Sequence, residues 1–145
     1  MEVHIKIKSS QTDAVGEKTH VNMEADGCLS CKNGKLYLRY EDTALLQGER
    51  VTTTVKLLEN GMLLLRKGAL QQRMEFLEEC ETVSMYRTSC GVLELRIRTT
   101  CFAKELSEKS GGFVRLRYEL YANGKWQSRN RLEMEVLPVV GRQLC

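Results

Sequence analysis

The chain of 145 residues has one proline, two histidines, one tryptophan and no long apolar run. Each scarcity excludes something. With Pro138 the sole proline, almost nothing along the body forbids continuous sheet hydrogen bonding. Apolar stretches such as Met62-Leu63-Leu64-Leu65 are far too short to span a bilayer, so no membrane partner is expected. Met1-Glu2-Val3-His4-Ile5 lacks the charged and apolar regions of a secretory signal, and the chain reads as cytoplasmic. Charge of one sign is also lacking. The 22 basic and 19 acidic side chains give a net charge of +3, too mild to imply nucleic acid by itself. So little histidine leaves general acid–base chemistry to carboxylates. The sequence holds no Gly-x-Ser-x-Gly, P-loop or Gly-x-Gly-x-x-Gly. No cofactor is indicated, and no enzyme is expected.

The six cysteines are Cys28, Cys31, Cys80, Cys90, Cys101 and Cys145. In a reducing compartment they are expected as free thiols, several of them filling apolar space. Cys28 and Cys31 have the spacing of half a zinc site or a redox pair. A structural zinc needs four ligands, and no second Cys-x-x-Cys or His pair exists. A redox pair expects a βαβ setting, whereas this one lies at a hairpin. No metal site is assigned. His4 and His20, on the polar faces of adjacent strands, could approach each other across the first hairpin; solvation is the plainer reading.

What the chain does have is alternation. Its apolar and charged fractions, 42% and 28%, are those of a globular protein, and its length suits one domain. That domain spans 1–145, with a body at about 3–136 and a short tail at 137–145. Val3, Ile5 and Ile7 alternate with His4, Lys6 and Lys8, the mark of a strand with one apolar face. Similar runs follow at 20–25, 35–41, 50–58, 62–67, 70–77, 82–88, 92–99, 112–121 and 125–136. Asn-Gly recurs at residues 33–34, 60–61 and 123–124, and both residues tolerate the positive φ of tight hairpin turns. Only 102–110 could hold a turn or two of helix. About ten short strands without long connections predict an all-β, antiparallel up-and-down closed barrel, since closure removes exposed edges.

Register follows from matching apolar faces across each turn. A two-residue turn at Asn33-Gly34 pairs Cys31 with Leu36 and Leu29 with Leu38. At Asn123-Gly124 the same turn would set Leu116 against Arg131. A three-residue loop with a bulge at Gly124 instead pairs Leu116 with Asn130 and Tyr118 with Ser128. At Asn60-Gly61 both registers fit, which leaves the direction of Arg66 open. The bulged register sets Arg117 opposite Arg129 and Arg115 opposite Arg131, with Arg96 and Arg98 on the polar face of the preceding strand. Such an arginine ladder is either a solvated face balanced by glutamates or a surface for an anion or acidic partner.

Inward residues by alternation include Leu36, Leu38, Tyr40, Met74, Phe76, Leu93, Leu95, Ile97, Val114, Leu116, Tyr118, Leu132 and Met134. Gln72, Thr99, Ser128, Asn130 and, in one register, Arg66 share those faces. Barrels of this size are either filled by side chains or hold one small ligand.

Several spaced segments carry a family likeness. Leu36-Tyr37-Leu38-Arg39-Tyr40 follows the first Asn-Gly turn, Arg66-Lys67-Gly68 precedes Met74-Glu75-Phe76, and Tyr86-Arg87-Thr88-Ser89-Cys90-Gly91 leads into Leu93-Glu94-Leu95. From about Val3 to Val136 the chain resembles the YwiB-like bacterial proteins, a family of undetermined function. The resemblance implies a calycin-type, lipocalin-like barrel and no activity. It matches at Tyr37, Tyr40, Arg66, Gly68, Phe76, Tyr86, Thr88 and Gly91, and does not extend to the Cys28/Cys31 pair.

Two functions are therefore carried forward. One is a cytoplasmic barrel binding a small, mostly apolar or anionic ligand, with Arg66 as anchor and Tyr40, Tyr86, Tyr118, Gln72 and Asn130 around it. The other is a homodimer or protein-interaction module using an outer sheet face and the arginines 96, 98, 115, 117, 129 and 131. Binding of single-stranded nucleic acid would need aromatics interleaved with those arginines. Only Tyr121 and Phe113 are available, so it is not expected.

Overall fold

The computed structural model describes residues 1–42, 50–68, 71–88 and 90–139, without the side chains of Arg87 and Thr88. Cys145, Leu70, Ser89 and the tail beyond Val139 lie outside these residues. Ten antiparallel strands follow one another: β1 (Glu2–Asp13), β2 (Lys18–Lys32), β3 (Lys35–Asp42), β4 (Val51–Leu58), β5 (Gly61–Gly68), β6 (Gln72–Leu77), β7 (Glu81–Thr88), β8 (Gly91–Ser107), β9 (Gly111–Ala122) and β10 (Lys125–Pro138). No helix among the described residues is long and apolar enough to cross a membrane.

Each strand pairs with its neighbour in sequence, and β1 pairs with β10, so the order runs β6-β5-β4-β3-β2-β1-β10-β9-β8-β7. The sheet is a nearly closed barrel. Its one discontinuity lies between β6 and β7, which share no backbone ladder among the described residues. Two hydroxyls cross this seam instead. Thr82 Oγ1 donates to the Glu75 carbonyl at 2.5 Å, and Ser84 Oγ to the Arg73 carbonyl at 2.9 Å.

Alternation places the core. Val3, Ile5, Leu29, Leu38, Val55, Met62, Phe76, Ile97, Val114, Leu116, Met134 and Val136 point inward and are buried. Leu36, Tyr118 and Leu132 pack against them. The cysteines do not fill apolar space as expected. Cys31, Cys80, Cys90 and Cys101 are exposed and Cys28 is half-buried. Cys80 and Cys90 lie between strands, and the other three lie within β2 and β8.

The three Asn-Gly pairs serve three different geometries. At Asn33-Gly34, with φ of 54° and 77°, Lys32 faces Lys35 and Leu29 faces Leu38, the expected two-residue turn. At the second pair the turn is Glu59-Asn60, with Leu58 facing Gly61. Gly61 is there for close approach, since a Cβ would sit 1.8 Å from the Phe76 carbonyl oxygen. This register faces Arg66 with the buried Thr53, which settles the inward direction of Arg66.

At the third pair the expected bulge at Gly124 is corrected. Asn123 and Gly124, with φ of 48° and 81°, form a two-residue turn between the opposed Ala122 and Lys125. The extra residue is Gln127, between Trp126 and Ser128. Leu116 therefore faces Leu132, and Tyr118 faces Asn130. Both registers keep apolar faces matched. The bulge three residues further on lets Asn-Gly occupy its preferred turn.

The helix expected at 102–110 is also corrected, because β8 continues to Ser107. A second bulge between Thr99 and Cys101 shifts the alternation by one residue. Phe102 thus turns inward and is buried.

Deleting Gln127 would remove only the extra residue, because Trp126 already faces Tyr121 and Ser128 already faces Leu120, so the rest of β10 would keep its faces. This deletion is expected to keep cooperative unfolding, whereas deleting the paired Ser128 would remove a buried residue from the ladder and is expected to destabilise clearly more. Gln127→Ala, which keeps the residue count, is expected to shift stability by only about 0.5 kcal/mol. Denaturant titration followed by circular dichroism checks all three.

Candidate functional site

A polar belt crosses the inner wall. Tyr40 on β3 faces Thr53 on β4, Thr53 faces Arg66 on β5, and Arg66 faces Gln72 on β6. In the other half, Thr99 on β8 faces Tyr118 on β9, which faces Asn130 on β10. At the seam, Tyr86 of β7 lies within electrostatic reach of Arg66 and beside Gln72. The sequence-derived group of Arg66, Tyr40, Tyr86, Tyr118 and Gln72 is thus brought together by strands far apart in the chain. Asn130 belongs to the same belt but turns along its own strand, donating from Nδ2 to Ser128 Oγ at 2.9 Å.

Arg66 is the electrostatic centre. Its guanidinium donates from Nη1 to Gln72 Oε1 at 2.5 Å, and no carboxylate pairs with it among the described residues. Asp42 is buried one pleat beyond Tyr40 and is not without a partner. Burial pushes the Tyr40 phenol up to about 12, against the smaller downward pull of Arg66. Burial likewise raises Tyr86 and Tyr118, again opposed by Arg66. The phenols around this cation are therefore neutral hydrogen-bond donors near pH 7.

Four buried polar atoms on the belt have no protein hydrogen-bond partner: Thr53 Oγ1, Arg66 Nε, Tyr86 Oη and Thr99 Oγ1. Thr53 lies near Tyr40, and Gln72 near Tyr86, but neither approach gives a hydrogen bond of good geometry. An unsatisfied buried polar atom costs about 1–3 kcal/mol, so such atoms are rare and scattered in most folds. Here they converge. Thr53 escaped the sequence reading because Thr52, Thr53 and Thr54 stand in a row, where polarity shows no alternation.

Beside the belt, a groove of about 430 Å³ runs along the seam, lined by Gln71, Gln72, Arg73, Val83, Ser84, Met85 and Tyr86. It reaches both Gln72 and Tyr86. Phe76 of β6 packs against Tyr118 of β9 within the interior at a ring separation of 4.8 Å.

The six outer arginines do not form the expected ladder. Arg98 stands between Glu81 and Glu119. Arg96 pairs with Glu81 at 3.4 Å and Glu94 at 3.5 Å. Arg115 faces Glu133 and lies 4.4 Å from the Phe113 ring centroid. Arg129 faces Glu119 at 3.6 Å. Only Arg117 and Arg131 face each other. The difference follows from the Gln127 bulge.

Cys28 and Cys31, three apart on one strand, point to opposite faces. His4 and His20 do not meet either, because the first hairpin pairs His4 with Asp26 and His20 with Ser10. His4 instead bridges two carboxylates, with Nδ1 3.0 Å from Asp26 and Nε2 2.8 Å from Glu24.

A model of a family described as a domain of unknown function, DUF1934, matches residues 5–134. The uncharacterized beta-barrel protein YwiB of Bacillus subtilis (strain 168) is 28% identical over 119 residues, covering 82% of this chain and 80% of that protein. The crystal structure of ywiB protein from Bacillus subtilis superposes with a TM-score of 0.73 at 25% identity, over 92% of this chain and 90% of that one.

Two pH dependences follow. Asp26 and then Glu24 raise the His4 imidazole by hydrogen bonding. The stabilisation is fully present below the unfolded value near 6.5 and lost as pH rises through the raised folded value. His4→Gln is expected to flatten the stability profile in that window, read by denaturant midpoints. Tyr40 holds its proton to about 12 against about 10 unfolded. Its contribution, roughly 3 kcal/mol, is therefore lost between those values. Tyrosinate absorbance and unfolding are expected to rise together there, and Tyr40→Phe to uncouple them.

Proposed function

The chain belongs to the DUF1934 family of domains of unknown function, and we propose that this member binds a small amphipathic anion in the cytoplasm, with the anionic group at Arg66. The observation that carries the reading is the convergence of unpartnered buried polar atoms around that guanidinium, beside the seam. A carboxylate there accepts from Arg66 Nε and from the Tyr86 hydroxyl, replacing two unmade hydrogen bonds with charge-assisted ones. The neutral phenols of Tyr40 and Tyr118 supply further donors without opposing the charge. The ligand's apolar body lies along the seam groove, against Val83 and Met85. These are exposed by 52% and 61% and gain most from being covered.

The same apolar strip supports a second reading. Val83, Met85 and Val92, the last 58% exposed, lie on the outer face of β7 and β8 and could seat a second copy of the chain.

One set of measurements separates the two. Octanoate is expected to raise the melting temperature of the wild type, whereas octanol is not. Arg66→Met is expected to remove the octanoate response while leaving the ligand-free protein as stable, or about 1–2 kcal/mol more stable, because an unpaired buried cation has been replaced. Native mass spectrometry is expected to find a single chain carrying a co-purified organic acid. A ligand-free dimer, or equal responses to acid and alcohol, overturns the anion reading in favour of the strip.

A further inference from the structure

The outer face of β1, β8, β9 and β10 carries one charge pattern that stability alone does not explain. Rows of opposed residues cross it, and in two of them charge alternates. Glu81, Arg98, Glu119 and Arg129 form one row, and Ala103, Arg115, Glu133 and Lys8 another. Between them runs the row Cys101, Arg117, Arg131, Ser10. It contains two directly opposed arginines and no carboxylate. Neither has an ion pair among the described residues. Like charges directly opposite each other destabilise a sheet.

Arg117, Arg131 and Ser10 of this row line a groove of about 470 Å³ together with Arg129, Thr12, Thr100, Asn130 and Glu119, whose carboxylate pairs with Arg129 at 3.6 Å. Ser10 faces Arg131, and Thr12 faces Arg129. Thr100 is the bulge residue of β8, and its hydroxyl donates to the Arg117 carbonyl at 3.3 Å. The bulge thereby holds a further hydroxyl beside the two guanidinium groups.

We propose that this groove binds the phosphate group of a small phosphate monoester, bridged between Arg117 and Arg131. A tetrahedral dianion can accept from two guanidinium groups at once and cancel their repulsion. Ser10 offers a hydroxyl to its remaining oxygens. The flanking rows decide the size of the ligand. Glu119 lies on one side and Glu133 on the other, so positive charge that faces no carboxylate is confined to one row. A nucleic-acid strand crossing the face would meet carboxylates on both sides, whereas a single phosphate would not. The groove volume is likewise that of a small-molecule site. This site is independent of Arg66, which faces the interior.

The test is a nitrogen-15 NMR titration of the full chain with glycerol 3-phosphate and with inorganic phosphate, at fixed ionic strength maintained with sodium chloride. Saturable shifts are expected at Arg117, Arg131 and Thr100. Arg117→Gln and Arg131→Gln are each expected to weaken binding by about tenfold or more, the scale of a lost charged hydrogen bond. Arg98→Gln removes an arginine flanked by carboxylates and is expected to change affinity by less than about twofold. Arg131→Gln is also expected to melt no lower than the wild type without ligand, which shows that lost binding is not lost folding. Three results overturn the proposal: shifts reproduced by chloride alone, equal weakening in Arg98→Gln, or a single-stranded oligonucleotide that binds and is not displaced by glycerol 3-phosphate.

Discussion

Eleven residue pairs, from Val3–Pro138 to Asp13–Ser128, join β1 to β10, and through them two half-sheets acquire a common interior. Without that ladder, β1 to β6 and β7 to β10 would each expose an apolar face. The pairing is the most non-local in the chain, so its loop-closure entropy must be met before its contacts exist. The termini are fastened accordingly. The Met1 ammonium donates to the Leu29 carbonyl at 2.8 Å, and Val139 N to the Glu2 carbonyl at 3.0 Å. Val3, Ile5, Met134 and Val136 lie fully inside, so the ladder also forms the wall facing the seam.

Because the ends close the ring, its discontinuity falls in mid-chain, between two strands only a short turn apart. The turn explains why they do not zip. Glu79 N donates to the Thr99 carbonyl, and Thr99 N to the Cys80 carbonyl. The Glu78 carboxylate accepts from Phe102 N at 3.0 Å. Cys80 N still closes the turn on the Leu77 carbonyl, but Glu79 N and the Cys80 carbonyl are spent on β8 and Glu78 N on Asn60, so the ladder does not continue from the turn. The strands leave that anchor already parted. Two side-chain hydroxyls hold a seam more weakly than a ladder of paired backbone groups, and regions with few such bonds open at the lowest free energy. Access to the polar belt and the weakest part of the wall therefore coincide.

The legible part of this fold was whatever depends on parity. Strand number, direction, inward apolar residues and the first hairpin register all follow from alternation and turn chemistry. The polar members of the belt were visible for the same reason, as Gln72, Tyr118 and Asn130 fall on apolar faces. What was not legible depends on a count of one. Gln127 and Thr100 carry no marker of a bulge, since either strand reads equally well with the extra residue placed elsewhere. The phase change at Thr99-Thr100-Cys101 made a strand look like a short helix, and the triple threonine of β4 hid Thr53. The splayed seam was out of reach too, because it rests on contacts between the β6–β7 turn and β8 that no local pattern encodes.

Those two bulges do more than shift a register. β9 stands between the bulged strands, and its alternation gives Tyr118 to the interior and Arg117 to the outside. The bulge in β8 sets Thr99 against Tyr118 and, one step on, Cys101 against Arg117. The bulge in β10 sets Asn130 against Tyr118 and Arg131 against Arg117. Moving either bulge past this point would alter an inner and an outer pair together. With β10 in the register expected from the Asn-Gly turn alone, Leu116 would face Arg131 and the core would be lost. With a bulge at Gly124 instead, the core would survive, but Ser128 would face Tyr118 and Arg129 would face Arg117. Apolar packing thus excludes the unbulged register and leaves both bulged ones open. Between those two, the preferred backbone of an Asn-Gly turn selects the one that aligns Arg117 with Arg131 and Tyr118 with Asn130.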